Sequence, residues 1–172
     1  IGLFAAAVLA SSAAYGLELT SPDIAPGSKI SDEHVFSGFG CSGKNVSPAL
    51  KWSGAPAGTK SFALMVYDPD APTGSGFWHW VMFDIPADAT ELPKGAGDVK
   101  AGKAPAGAVQ SRTDFGVPGY GGPCPPQGDA PHHYHFMLFA VDQAKLGPDA
   151  DTTAAVVGFN LHFHTLAKTE LT

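Results

Sequence analysis

The chain has 172 residues, 44% of them hydrophobic and only 15% charged, with 21 Gly and 15 Pro spread along it. That composition suits one turn-rich globular β domain and excludes a disordered or long-helical chain. The formal net charge of -6, with no basic run anywhere, excludes a broad nucleic-acid or anionic-membrane footprint, but not an anionic ligand held by local donors in a pocket.

Residues 1–16, IGLFAAAVLASSAAYG, carry no charged side chain and end in small residues, the pattern of the apolar core and cleavage region of a secretory signal peptide. Ala14 and Gly16 fit a cut before Leu17, which we take as the boundary; Ser12 and Ala14 would place it before Tyr15 instead. The stretch is short of the roughly 20 apolar residues that span a bilayer. An apolar first strand or anchor is the alternative. The reading gives a remnant leader at 1–16, a single domain at 17–172, a periplasmic or secreted location and no integral membrane span after processing.

LELTSPDI, from Leu17, alternates apolar and polar residues and then meets Pro22, as a first or edge strand does. Between Ser31 and Lys51 the glycines, Asn45 and Pro48 predict irregular backbone until Leu50 and Trp52 open a short extended piece. Ser61 to Tyr67, SFALMVY, is a nearly unbroken apolar run stopped by Asp68-Pro69, and reads as a central strand buried on both faces. Trp78 to Ile85, WHWVMFDI, reads as a second such strand ended by Pro86. From Ala87 to Ala130 the chain is mostly Gly, Pro, Ala, Asp and Lys around one strand-like piece, AVQSRTDF; loops this long inside a compact domain are usually functional. His133 to Val141, HYHFMLFAV, is a third buried strand. Asp151 is placed to cap a short helix carrying Val156, Val157, Asn160, Leu161 and His164 at helical spacing, and AKTELT reads as a final strand or tail.

Only two cysteines occur, Cys41 and Cys124, both in Gly/Pro-rich loops, and in an exported protein such a pair reads as one disulfide. Free thiols are the alternative. Polar clusters stand at the ends of the three most regular strands: Asp68-Pro69-Asp70-Ala71-Pro72, Trp78-His79-Trp80, and Pro125-Pro126 leading into His132-His133-Tyr134. Strand ends are where polar groups face a pocket while the strand interior stays dry. Singly, each cluster is also explained as a turn, a core histidine or a solvated edge.

Taken together, GFGCSGKNVSPALKW at 38–52, YDPDAPTGSGFWHWVMFDIP at 67–86, QSRTDFGVPGYGGPCPP at 110–126 and HHYHFMLFAVD at 132–142 resemble the phosphatidylethanolamine-binding protein family in its bacterial Raf kinase inhibitor-like branch. The resemblance implies a mainly β fold with a few short helices, a Greek-key β-sandwich. It also implies a small pocket for phosphate-type anions or phospholipid head groups. Carried over residue by residue, the pocket comprises Asp68, Asp70, Pro72, His79, Gly122, Pro125, Pro126, His132 and Tyr134. The position after His132, often Arg in relatives, is His133 here. Family members are also described as regulators of kinases or inhibitors of proteases, so a protein partner of that kind is the alternative to a small anion.

The chemistry agrees with an anion site: imidazoles donate N–H bonds to phosphate oxygens, Tyr134 adds a hydroxyl, and Gly/Pro backbone approaches closely. Asp68 and Asp70 would repel a phosphate unless they hold the histidines protonated and oriented, or accept from the ammonium of ethanolamine. A metal built on His132, His135, His162 and His164 meets no zinc spacing, because on a strand His133 and His135 share a face while His132 does not. A hydrolase using Asp68, Asp70 and His79 lacks a Ser or Cys nucleophile in a G-x-S-x-G context. The expectation is a binding protein with neither cofactor nor enzymatic activity.

Overall fold

The computed structural model describes residues 16–172, so the leader reading lies outside the described residues except for Gly16. The chain forms β1 (Glu18–Thr20), β2 (Ser37–Gly38), β3 (Cys41–Ser42), β4 (Leu50–Ser53), β5 (Ser61–Asp68), β6 (Phe77–Pro86), β7 (Glu91–Leu92), β8 (Val109–Gln110), β9 (His135–Val141), α1 (Ala154–His164) and β10 (Thr165–Leu171). The three long apolar runs become β5, β6 and β9, and AKTELT belongs to β10.

A five-stranded antiparallel sheet has the order β10-β9-β5-β6-β8, and a small sheet has the order β1-β4-β7. Within the large sheet β5, β6 and β8 follow one another, and a long connection then returns β9 beside β5, which is the Greek-key order. The sheets do not close into a barrel. The first strand lies at the edge of its sheet, where Pro22 just beyond it withholds no ladder bond.

The strands β5, β6 and β9 of the large sheet are buried on both faces, which is why they read as continuous apolar runs, whereas the edge strand β10 alternates half-buried and exposed residues. On one face Phe62, Leu64, Val66, Met82 and Leu138 pack against Leu19, Leu50, Trp52 and Leu92 of the small sheet. On the other, Ala63, Met65, Val81, Phe83 and Met137 meet Ala154, Val157 and Leu161 of α1. Among the described residues α1 is the one α-helix, where a few had been expected. Its N-cap is Thr153 rather than Asp151, because Asp149 turns the chain first by accepting bonds from the Asp151 amide and the Thr152 hydroxyl.

Two β-bulges on β6 set the site. Phe62 pairs with Ile85 but Leu64 with Met82, and Val66 pairs with Trp80 but Tyr67 with Trp78, so β6 carries an extra residue each time. Each bulge inverts the alternation of faces. Trp78 packs on the helix side while Trp80 packs toward the small sheet, although residues two apart on a regular strand share a face. The residue between them is His79. The other bulge, between Met82 and Ile85, contains Asp84, at φ 55°, a conformation Asp tolerates better than a branched side chain, and its carboxylate accepts the Leu146 amide at 2.7 Å.

Candidate functional site

The end of β5, the start of β6 and the segment entering β9 meet at one end of the strands of the large sheet. There they enclose a cavity of about 230 Å³ lined by Asp68, Pro72, His79, Pro126, His132 and Tyr134. Six of the nine site residues expected from sequence therefore converge.

His79 is 5% exposed and makes a reciprocal pair with Gly121: the Gly121 amide donates to its carbonyl at 2.9 Å, and its own Nδ1 lies 2.7 Å from the Gly121 carbonyl. A carbonyl only accepts, so Nδ1 carries the proton. Burial pushes the His79 pKa down against the opposing pull of the Gly121 carbonyl and the Asp68 charge. The neutral ring thus presents an unprotonated Nε2, an acceptor, and not the second N–H donor expected from sequence. That atom sits 4.0 Å from Asp68 Oδ2.

His132 is the opposite case. Its Nδ1 donates to Asp68 Oδ2 at 2.7 Å and its Nε2 to Asp129 Oδ2 at 3.3 Å, so both ring nitrogens face carboxylates. Burial works against the imidazolium, but the hydrogen bonds and charges of Asp68 and Asp129 outweigh it and raise the pKa. Asp68, 2% exposed, is the residue that holds a histidine charged and oriented, and it also accepts the Asp70 amide at 2.9 Å.

The Tyr134 ring packs edge-on to His79 at 5.2 Å and parallel to His132 at 6.4 Å. Its hydroxyl is shut off from solvent and has no hydrogen-bond partner among the described residues. Burial, and then the charges of Asp68 and Asp70, raise its pKa so that it stays a neutral donor. An unpaired buried hydroxyl costs about 1 to 3 kcal/mol.

Three of the expected residues lie elsewhere. Asp70 points away from the cavity, where its Oδ2 accepts both the His133 amide and His133 Nδ1 at 2.7 Å; the His133 imidazole holds the Asp70 carboxyl below its ordinary range. Pro125 lines a neighbouring groove. Gly122 packs behind the site: its amide donates to Asn45 Oδ1 at 2.8 Å, and a Cβ there would stand 2.0 Å from the His34 carbonyl oxygen. Only glycine fits, for a packing reason and not for ligand contact.

The loop carrying these residues is tied to the segment around β2 and β3 at several points. Asn45 Nδ2 donates to the Tyr120 carbonyl at 3.2 Å, the Phe36 amide to that of Pro123 at 3.0 Å, and the Tyr120 hydroxyl to that of His34 at 2.9 Å. Cys41 and Cys124 form the expected disulfide, with Cα atoms 6.0 Å apart. Phe39, two residues before Cys41, lines the cavity.

Sequence reasoning missed the aromatic rim, Phe39, Phe77 and Phe115, and missed Asp129. Phe115 packs edge-on against Phe77 at 4.9 Å and His79 at 5.5 Å and stacks on Phe39 at 6.0 Å. Phe77, two before His79 on β6, was within reach of the period-two rule; Phe39, at φ 53° between two glycines, and Phe115 carried no local signal. Among the described residues no group of three His, Cys, Asp or Glu is arranged to hold a metal ion.

A polar floor under an aromatic rim, at the strand ends of a two-sheet Greek key, is the architecture of a small-ligand-binding protein. The sequence profile of the phosphatidylethanolamine-binding protein family matches residues 20–172, and the chain belongs to that family. It is 52% identical to YbcL of Escherichia coli over 162 residues, 94% of this chain and 88% of that one. The crystal structure of YbcL, titled a new member of the mammalian PEBP family, superposes with a TM-score of 0.89 over 91% of this chain and 96% of that one. YbhB of the same organism is 48% identical over 156 residues, 91% of this chain and 98% of its own. LppC of Mycobacterium tuberculosis, whose name calls it a lipoprotein, is 40% identical over 139 residues, 80% of this chain and 62% of its own.

Proposed function

We propose that the protein is a non-catalytic binding protein whose small cavity takes a phosphate-type anion, free or as a phospholipid head group. The buried, unpartnered Tyr134 hydroxyl beside a charged His132 carries this reading. A phosphate oxygen would supply the missing acceptor, and a protonated phosphate hydroxyl would donate to His79 Nε2. The aromatic rim would exclude water and offer ring faces to an ethanolamine ammonium. A non-catalytic role agrees with Cys124 being committed to the disulfide. The disulfide, the leader pattern of 1–16 and the lipoprotein relative support an exported protein. No helix among the described residues is long and apolar enough to cross a membrane. A kinase or protease partner rests on the family resemblance, and a peptide that displaces phosphate from the cavity would favour it.

Affinity for phosphoethanolamine falls as pH rises, for two reasons of the same sign. His132, faced by Asp68 and Asp129, loses its charge as pH climbs through its raised pKa. A phosphate monoester also loses its last proton around pH 6, and with it the donor for His79 Nε2, while Asp68 still faces it. Titration calorimetry at about pH 5.5 and about pH 8, either side of the ordinary imidazole range, measures the difference. His79→Ala weakens binding by about tenfold to a hundredfold at the lower pH, the worth of a hydrogen bond to a charged group. Equal binding by the variant and the wild type at both pH values contradicts the assignment.

A further inference from the structure

Helix α1 is apolar on the side turned away from the core. Ala154, Val157 and Leu161 are buried against the large sheet, yet the opposite side carries Val156, Phe159 and Phe163, the two phenylalanines being 65% and 63% exposed. Their rings meet edge-on at 5.2 Å, and Phe163 meets the His162 ring edge-on at 5.0 Å, which makes one aromatic ridge along the helix. Asn160 adds little polarity beside it, because its Nδ2 donates to the Val156 carbonyl of the same helix at 2.9 Å. From Thr152 to Ala167 the sequence holds no Asp, Glu, Lys or Arg. A surface helix ordinarily sets charged residues on its outer side, and a contiguous apolar patch in their place marks a contact surface. Val156, Phe159 and Phe163, at i, i+3 and i+7, have the spacing of the seam between two paired helices.

The charges at the two ends of the ridge name the occupant. Exposed Asp149 and Asp151 precede the helix, exposed His162 lies in its last turn, and exposed Lys168 follows on β10. Lys168 stands on the same face of the sheet as α1, its Nζ 5.5 Å from the centre of the Phe139 ring, which packs against the helix-side cluster. A second α1 turned about a two-fold axis near Phe159 runs antiparallel to the first. It sets Val156 of each copy against Phe163 of the other and the acidic end of each beside the basic end of the other, with the helix dipoles opposed. Elsewhere the net charge of -6 makes two copies repel, so the uncharged ridge with complementary ends is where they can meet. We propose that α1 joins two copies of the chain in a two-fold antiparallel helix pair. An anionic lipid surface is the less suited occupant, since the flanking aspartates and the net charge oppose it. The contact leaves both hollows open, because their walls, among the described residues, include none from α1.

The ridge of an 11-residue helix is about 16 Å long and falls short of the roughly 800 Å² per partner of a standard interface, so the dimer dissociates on the order of 10 to 100 µM. Sedimentation velocity of the wild-type protein from about 1 µM to about 1 mM is expected to pass from monomer to dimer across that range. Phe159→Glu sets two carboxylates at the axis and is expected to raise the dissociation constant more than about tenfold, while the thermal midpoint of the dilute protein stays put because the side chain is exposed. Phe159→Cys adds a single free thiol to the described residues, since Cys41 and Cys124 are bridged. Air oxidation is expected to link two copies through it, whereas Thr20→Cys, exposed on the small sheet across the core, stays unlinked. A wild-type monomer at every concentration overturns the proposal. So does a dimer that Phe159→Glu leaves intact, which would place the contact elsewhere, and so does equal linking by the two cysteine variants. A monomer that binds neutral phosphatidylcholine vesicles through Phe159 gives the ridge to a lipid surface and overturns it as well.

Discussion

Replacing Cys41 and Cys124 together by Ser lowers the stability of the protein by about 2 to 5 kcal/mol, read as a fall in the urea midpoint with a steeper slope, because the unfolded chain without the bridge is more expanded. The bridge closes a loop of 83 positions, long enough that opening it restores much freedom to the unfolded chain. Its native-side effect is confined to one corner. The loop from Tyr120 to Cys124 keeps its hydrogen bonds to Asn45, Phe36 and His34, so the variant still folds. Phe39 and Pro126 lose their tether, and phosphate affinity falls with them. An unchanged midpoint would mean that the bridge does not restrict the unfolded chain.

His132→Ala carries the second large effect, on stability and on binding at once. Both N–H groups of His132 are held by Asp68 and Asp129, so the substitution removes from the cavity a positive charge rather than a direct donor, and phosphate affinity falls because Asp68 is left to repel the anion. It also leaves Asp68, 2% exposed, with the Asp70 amide but no counter-ion, and breaking a buried pair from one side costs about 3 to 5 kcal/mol. In the wild type the raised His132 pKa stabilises the fold below the ordinary imidazole range, and that contribution lapses as pH climbs through the raised value. Asp68→Ala added to His132→Ala recovers most of the stability and only part of the binding. Full recovery of binding in the double variant would show that the histidine serves only to neutralise the aspartate.

The three long strands were legible because burial on both faces leaves an unbroken apolar run. What such a run conceals is its phase. In WHWVMFDIP nothing marks His79 and Asp84 as bulge residues, since neither Gly nor Pro interrupts the segment, and only the register against β5 shows that the faces invert there. That inversion carries His79 toward Gly121, a partner 42 positions away. The two aspartates of DPDAP looked equivalent in sequence. Asp68 ends β5 pointing inward to His132, while Asp70 lies beyond the strand and turns out to His133. The tautomer of His79 was equally beyond reach, because it is set by a carbonyl that the loop delivers from far along the chain. The disulfide was legible since two cysteines in a chain read as exported leave one pairing. The Phe115 wall and the second carboxylate on His132, Asp129, come from the long loop, whose conformation depends on contacts with the 34–45 segment and not on any local pattern.

The central claim is that one cavity combines a neutral His79 with a charged His132 to receive an anion. Nitrogen-15 NMR of the imidazole rings across the titration range, without and with phosphoethanolamine, measures it directly. The free protein should show His132 titrating above, and His79 below, the ordinary value of about 6.5, with His79 protonated at Nδ1 while neutral. Ligand should move both transitions upward, since an anion favours each protonated ring. Two histidines titrating alike near that ordinary value, unmoved by the ligand, would contradict the account.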